Sequence, residues 1–210
     1  MLPEGLQIPQ SPQSITFEKV LLVEGHDAFQ FFKALLRHLN LLYEIEIRNF
    51  GGVDDLDYLN TLKITDGFDR VSSLAIIRDA EINAVSAFAS VCSTLRETGF
   101  DVPPEPMTLT KGSPKISVFI LPDCINDGAL ETLCLQTVGN DPAIPCIADF
   151  FTCIKNSGLG LPRNMEKATL HAFLSSRQRP NLLLGQAAHA KYWPWSHPVL
   201  DLLKEFIKRI

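Results

Sequence analysis

The sequence predicts an α/β fold, with a mainly parallel sheet flanked by helices and a helical C-terminal extension. From residue 17 onward, short apolar runs alternate with helical stretches of about a dozen residues, which is typical of strands joined by crossover helices. After residue 123 the strand pattern stops, and only helical periods follow. The first apolar run ends abruptly in Glu24 and Gly25, and an amphipathic stretch begins at once.

The predicted elements of the first half follow this alternation. Apolar runs predict strands at 18–23, 43–49, 72–78 and 116–121, and the periodic stretches between them predict helices at 26–39, 53–64 and 83–98. The proline-rich segment 99–107 must be irregular, because proline fixes φ and removes a hydrogen-bond donor. A short strand at 107–110 is expected to pair with 116–121 as an edge hairpin.

Helices are predicted in the second half at 128–138, 141–156, 163–175 and 197–209. Asp127, Asp141 and Pro162 mark three of the starts, because an acidic cap or a proline in the first turn favours a helix N-terminus. The last helix carries an apolar stripe, so we expect it to dock on the preceding domain.

We predict three parts in the chain. Residues 1–16 contain three of the fourteen prolines and no hydrophobic period, which indicates an N-terminal tail. Residues 17–138 hold the alternating strands and helices of the α/β domain. Residues 139–210 form the helical extension, which we expect to pack on that domain.

The composition is that of an ordinary globular protein, with 46% hydrophobic and 20% charged residues in 210. The net charge of −5 gives no general attraction to nucleic acid or anionic membrane, so any nucleic-acid contact would need a local basic patch. We expect a cytoplasmic protein without membrane attachment, because neither a long apolar run nor a signal peptide is evident. The five cysteines lack zinc or redox spacing.

Acidic residues follow two of the predicted strands. Glu24 ends the first, and Asp79 and Glu81 end the third. In a parallel sheet with right-handed crossovers these strand ends emerge at the same edge, where open α/β sheets bind their ligands. Carboxylates with open positions for water and phosphate oxygen suit Mg²⁺. The sequence therefore predicts a site for Mg²⁺ or Mn²⁺ at Glu24, Asp79 and Glu81.

Further residues near these strand ends have two interpretations each. Asp27 could support the metal site or simply suit the dipole of the helix it starts, and Glu131 has the same two readings at a later helix. Gly51 and Gly52 could admit an anion close to the backbone, or only shape a turn. Arg78 could bind phosphate, or it could weaken the affinity for a metal ion.

The order of these motifs resembles the Toprim domain of topoisomerases, DnaG-type primases and OLD-type nucleases. The resemblance rests on Val23-Glu24-Gly25 after one strand and Asp79-Ala80-Glu81 after a later one. It implies a Toprim/Rossmann-like sheet and a Mg²⁺ site that serves phosphoryl transfer or phosphodiester cleavage. In that reading Asp79 and Glu81 stand for the family's Asp-x-Asp motif, with one arm lengthened.

Two further motifs extend the resemblance over about residues 18–135. These are the turn 50–53, which contains Gly51 and Gly52, and the segment 128–131, which ends in Glu131. With them, the chain is similar to a branch of small stand-alone bacterial Toprim-like proteins of unknown function. One departure concerns OLD-type nucleases, which commonly have an acidic residue four positions after the motif glutamate, where this chain has Ala28.

A basic and aromatic segment near the C-terminus is not part of the resemblance. It runs from Arg177 through Lys191 to Trp195 and contains the residue types that hold single-stranded nucleic acid. The alternative is a packing wedge in front of the last helix.

Three functions remain open at this point. The first is a Mg²⁺-binding, nuclease-like protein or phosphoryl-transfer enzyme that acts on or binds nucleic-acid phosphodiesters, with Glu24 as a metal ligand or as a catalytic acid or base. The second is a non-catalytic regulatory or partner-binding module, and the third is a nucleotide-binding protein. The sequence leaves DNA, RNA, nucleotide and protein partners open, as well as a homodimer.

Overall fold

A four-stranded parallel sheet forms the centre of the protein. The computed structural model describes residues 14–51 and 58–210. The strands are β1 (Lys19–Val23), β2 (Ile45–Asn49), β3 (Ser73–Asp79) and β4 (Lys115–Leu121). They lie in the order β2-β1-β3-β4, and all pairs are parallel. The predicted α/β fold is confirmed.

Eight helices surround the sheet in the described part of the chain. Three lie between or beside the strands in sequence: α1 (Gly25–His38), α2 (Tyr58–Lys63) and α3 (Ala84–Glu97). Five follow the last strand: α4 (Leu130–Thr137), α5 (Ala143–Asn156), α6 (Met165–Ser175), α7 (Leu184–His189) and α8 (Asp201–Lys208). None of these helices has the length and apolar character that a membrane span requires.

The two faces of the sheet bury separate cores, because successive side chains of a strand point to opposite sides. In β1, Leu21 and Val23 join a cluster with α1 and the helices after β4. Val20 and Leu22 join the other cluster, with α2 and α3. The C-terminal helices therefore share their core with one face of the sheet.

The helix α7 was not predicted from the sequence. It has only six residues, which is too short for a clear helical period. It packs along α1 at Gly185, where an added Cβ would lie 2.5 Å from Cβ of Gln30 and 2.6 Å from the carbonyl oxygen of Asp27. Behind it, Trp193 is fully buried and donates from Nε1 to the carbonyl of Leu184. The close approach at Gly185 thus positions this helix against α1.

The prediction of a strand at 107–110 that pairs with β4 in a hairpin is wrong. Met107 N–H donates to the carbonyl of Val118, and Thr110 N–H donates to that of Ile116, so the segment does lie along β4. However, Met107 has a φ of 63°, outside the extended region, and the Thr110 hydroxyl replaces a backbone acceptor for Ile116 N–H. The segment is therefore irregular rather than a strand.

Some predicted features lie wholly or partly outside the described residues. The N-terminal tail is described only from residue 14, and the predicted helix 53–64 only from residue 58, where α2 begins. Gly52 also lies outside the described residues.

We predict that Gly185→Ala lowers the free energy of unfolding by about 1–3 kcal/mol, because the new methyl group must push α7 away from α1. Urea unfolding followed by circular dichroism measures this. Gly160→Ala is the matched control, since an added Cβ there meets nothing within 4 Å. Equal stabilities for the two variants would contradict close packing at Gly185.

Candidate functional site

The carboxyl ends of β1 and β3 form one edge of the sheet, as the sequence predicts. Val23 pairs with Ile77 in the parallel register, so Glu24 follows β1 beside the last residues of β3. A cavity of about 290 Å³ opens at this edge. Its lining includes the carboxylates Glu24, Asp27, Asp79 and Glu131.

The turn that carries Glu24 is held by a side chain that the sequence did not single out. Gly25 has a φ of 82°, a conformation that favours glycine. Its N–H donates to Oδ1 of Asn49 at 2.8 Å, and Gly51 N–H donates to the same oxygen at 2.9 Å. Asn49 thus ties the end of β2 to the end of β1. In this arrangement the Gly51 N–H shapes a turn.

Glu24 is half-buried, and its pKa is raised. Its Oε2 is buried and has no hydrogen-bond partner among the described residues. Burial raises the pKa of Glu24, the positive charge of Arg78 opposes this effect, and the negative charge of Glu81 adds to it. Arg78 is itself buried in β3 and donates to the Ser90 hydroxyl of α3 at 3.0 Å. Arg78 thus acts on Glu24 while being anchored to α3.

Asp79 carries the largest perturbation in the site. Its pKa is raised to about 8, chiefly by burial and also by the negative charges of Glu131, Glu24 and Glu81. The Leu130 N–H donates to Oδ1 of Asp79 at 2.9 Å and partly opposes the shift, because it favours the ionised form. Asp79 therefore also accepts a hydrogen bond from the first residue of α4.

Glu81 is positioned by its backbone. Its φ is 54°, and it exchanges two backbone hydrogen bonds of 2.8 Å with Gly128. Gly128 has a φ of 133°, and an added Cβ would lie 2.5 Å from the Thr132 hydroxyl oxygen. The side chain of Glu81 is exposed, while its charge acts on both Glu24 and Asp79. This bridge joins the end of β3 to the loop that precedes α4.

The segment 128–131 brings Glu131 to the cavity from the first turn of α4. The structure also adds a cation that the sequence did not single out, Lys167 of α6. Its neighbour Glu166 accepts a hydrogen bond from the Thr132 hydroxyl, which links α6 to α4. Lys167 is distant in sequence from every motif, so only the packing of the C-terminal helices brings it here.

Asp27 and Ala28 also line the cavity, at the first turn of α1. Oδ1 of Asp27 accepts a hydrogen bond from the Gly185 N–H at 3.2 Å, so this carboxylate links α1 to the start of α7. Ala28 is a buried residue of α1, and its side chain brings no oxygen to the site. Of the predicted residues that the structure describes, four line the cavity: Glu24, Asp27, Asp79 and Glu131. Glu81 and Gly51 are not part of its lining, and Arg78 is directed toward α3.

The oxygen donors suit a hard divalent cation, as the unpartnered Oε2 of Glu24 and the mutual effects of the carboxylates indicate. Within residues 14–51 and 58–210, no three His, Cys, Asp or Glu side chains already converge as a metal-binding group.

Comparison with known proteins gives a family but no activity. A family model described as "Protein of unknown function (DUF3226)" matches residues 18–210. No curated protein matches the sequence. Among solved structures, the C-terminal region of the OLD protein from Xanthomonas campestris pv. campestris is similar, with 14% sequence identity and a TM-score of 0.36. That match covers 92% of this chain and 98% of the other. Similarity at this level says nothing about activity.

We predict that Asp79→Asn changes how stability depends on pH in metal-free buffer. An aspartate in the unfolded chain ionises near pH 4, whereas Asp79 in the folded protein keeps its proton until about pH 8. The folded state therefore binds more protons in this window, and the free energy of unfolding falls as pH rises through it. Asparagine keeps the oxygen for Leu130 N–H but does not titrate.

Urea unfolding with EDTA between pH 5 and pH 8 measures this effect. Relative to wild type, Asp79→Asn should gain stability with rising pH, by at most about 1.4 kcal/mol per pH unit. Asp149→Asn makes the same substitution at an exposed position of α5 and serves as the control. Parallel profiles for wild type and Asp79→Asn would contradict the raised pKa.

Proposed function

This chain belongs to the DUF3226 family of proteins of unknown function, and we propose that it binds Mg²⁺ or Mn²⁺ at Glu24, Asp79 and Glu81 and acts on nucleic-acid phosphodiesters in a nuclease-like way. The Toprim-like order of the sequence motifs supports this proposal. The arrangement at the sheet edge supports it independently, because the three residues come from adjacent strand ends.

The single observation that carries the proposal is the cluster of carboxyl groups at the sheet edge that lack a compensating partner. Glu24 has a buried oxygen without a hydrogen-bond partner among the described residues, and Asp79 has a pKa of about 8. Neither feature helps the fold, because burying ionisable groups near like charges costs stability. A divalent cation would account for both features, since it would bind the free oxygen of Glu24 and favour the ionised form of Asp79.

A bound Mg²⁺ ion would supply Lewis-acid polarisation of a phosphoryl oxygen. Glu24 and Asp79 would hold the ion from two adjacent strands, and Glu81 would contribute a longer arm. Lys167 lines the same cavity, where its ammonium group can bind a phosphate oxygen. The positive charge of Arg78, which is anchored to α3, favours the ionised form of Glu24.

Glu24 has a second role open to it in the same site. Its raised pKa brings the carboxyl group closer to the working pH of a general acid or base. In that version Asp79 and Glu81 hold the metal ion, and Glu24 exchanges a proton with the attacking or leaving oxygen. The two versions differ in whether Glu24→Gln loses metal binding or only turnover.

A non-catalytic regulatory or partner-binding module is the second candidate. Ala28 favours it, because this residue lines the cavity where OLD-type nucleases commonly have an acidic side chain, and it offers no oxygen. In this candidate the carboxylates still bind the cation, but no phosphodiester is cleaved.

We predict that wild-type protein binds Mn²⁺ and that Asp79→Asn binds it at least about tenfold more weakly, because a carboxylate ligand is lost. Electron paramagnetic resonance of free Mn²⁺ measures the affinity. Glu44→Gln removes one exposed carboxylate before β2, at the opposite edge of the sheet, and should bind like wild type. Equal affinities for wild type and Asp79→Asn would refute the metal site.

Cleavage of single-stranded and nicked duplex DNA and of RNA with Mg²⁺ or Mn²⁺ then separates the two candidates. Turnover that is lost in Asp79→Asn but kept in Glu44→Gln supports the nuclease-like function. Mn²⁺ binding without cleavage of any substrate supports the module.

A further inference from the structure

A second cavity, of about 250 Å³, opens between α1 and the end of α7. Its lining includes four basic or imidazole side chains and one indole: Arg37, His38, His189, Lys191 and Trp195. No acidic residue lines this cavity in the described part of the chain. Arg37 and Lys191 thus bring two positive charges to one concave place on a protein with a net charge of −5.

The imidazole of His189 is held between two partners. Arg37 donates to Nδ1 at 3.0 Å, so the proton of the neutral ring lies on Nε2, which faces Oε1 of Gln30 at 3.2 Å. This arrangement fixes the position of the Arg37 guanidinium at the mouth of the cavity. Arg179 lines a neighbouring cavity on the other side of His189, which extends the basic surface.

Lys191 occupies a backbone position that normally favours glycine. Its φ is 61°, its N–H donates to the carbonyl of Ala188, and the next N–H donates from Tyr192 to Ala187. This is the Schellman ending of α7, in which the left-handed residue is usually glycine. A lysine here costs backbone strain, and it brings an ammonium group to the cavity.

The indole of Trp195 forms the floor. It packs edge-on against Phe31, with ring centroids 5.3 Å apart, and the ring of His38 stacks on it at 5.8 Å. The sequence left two readings for the basic and aromatic segment that ends here. Arg177 supports the packing reading, because it is paired with Asp141 and lies over the ring of Phe173. Lys191 instead lines the open cavity.

The helix α1 connects this basic cavity to the cavity at the sheet edge that Glu24 and Asp79 line, which we call the acidic cavity. Asp27 and Ala28 in its first turn line the acidic cavity, and Arg37 and His38 in its last turn line the basic one. Ten residues of α-helix span about 15 Å. A stacked nucleic-acid strand advances about 3.4 Å per nucleotide, so this distance corresponds to four or five nucleotides.

We infer that the cavity of Arg37, His38, His189 and Lys191 binds a backbone phosphate of a single-stranded polynucleotide whose scissile phosphodiester lies at Glu24 and Asp79. This inference rests on the proposed function. Basic residues at the end of α1 also suit the helix dipole. That explanation does not extend to Lys191, which comes from a different element and occupies a strained position.

The test measures the affinity for a fluorescein-labelled twelve-nucleotide oligothymidylate. Fluorescence anisotropy reports the binding, in EDTA and at several salt concentrations. The double variant Arg37→Gln/Lys191→Gly should bind about tenfold more weakly, because two phosphate contacts are lost. The slope of log affinity against log salt should become shallower by about 0.7 for each lost contact. Glycine at 191 also relieves the strained backbone, so a weakened fold would not explain the loss.

Arg96→Gln/Lys155→Gln is the matched control, because it removes two exposed cations from α3 and α5 and should bind the strand like wild type. Mn²⁺ binding should be unchanged in the Arg37/Lys191 variant, which separates this inference from the metal site. Equal strand affinities and salt slopes for this variant and wild type would overturn the inference. Quenching of Trp195 fluorescence by inorganic phosphate without strand binding would overturn it as well.

Discussion

The parallel pairing of β1 with β3 is the constraint on which the rest of the structure depends. Its register places Glu24 beside the end of β3, where Arg78 and Asp79 point to opposite faces of the sheet. On one face, the positive charge of Arg78 acts on Glu24, and Arg78 donates to Ser90 of α3. On the other face, Asp79 accepts a hydrogen bond from the Leu130 N–H at the start of α4. A register shift of one residue would exchange these partners.

This edge concentrates like charge where burial makes it costly. Four acidic residues lie close enough here to raise the pKa values of Glu24 and Asp79: Glu24, Asp79, Glu81 and Glu131. The local structure nevertheless holds this edge in place. Gly25 and Glu81 adopt left-handed backbone conformations, the Asn49 carboxamide accepts from the Gly25 N–H, and Glu81 is bridged to Gly128. Such preorganisation keeps the carboxylates together despite their repulsion. A site that serves only stability would not need this arrangement, because hydrophobic residues could fill the same edge.

The helix α1 connects the two surfaces of opposite charge. Its first turn belongs to the acidic cavity and its last turn to the basic one, and α7 packs along it between them through the close approach at Gly185. The C-terminal helices thus do more than cover a face of the sheet. They contribute Lys167 to the acidic cavity, and the chain beyond α7 contributes Lys191 to the basic one.

The sequence by itself determined the α/β class, the succession of the four strands and of every helix except α7 along the chain, and the acidic residues at the strand ends. These features are local, because strand and helix periods and strand-end carboxylates can be read within a few residues. The tertiary structure alone decided the strand order, the irregular path of 107–110 and the short helix α7. It also decided where Asn49, Lys167 and Lys191 lie relative to the two cavities, because each is brought there by segments that are far apart in sequence. The pKa of Asp79 belongs to this second group as well, since burial and neighbouring charges exist only once the chain has folded.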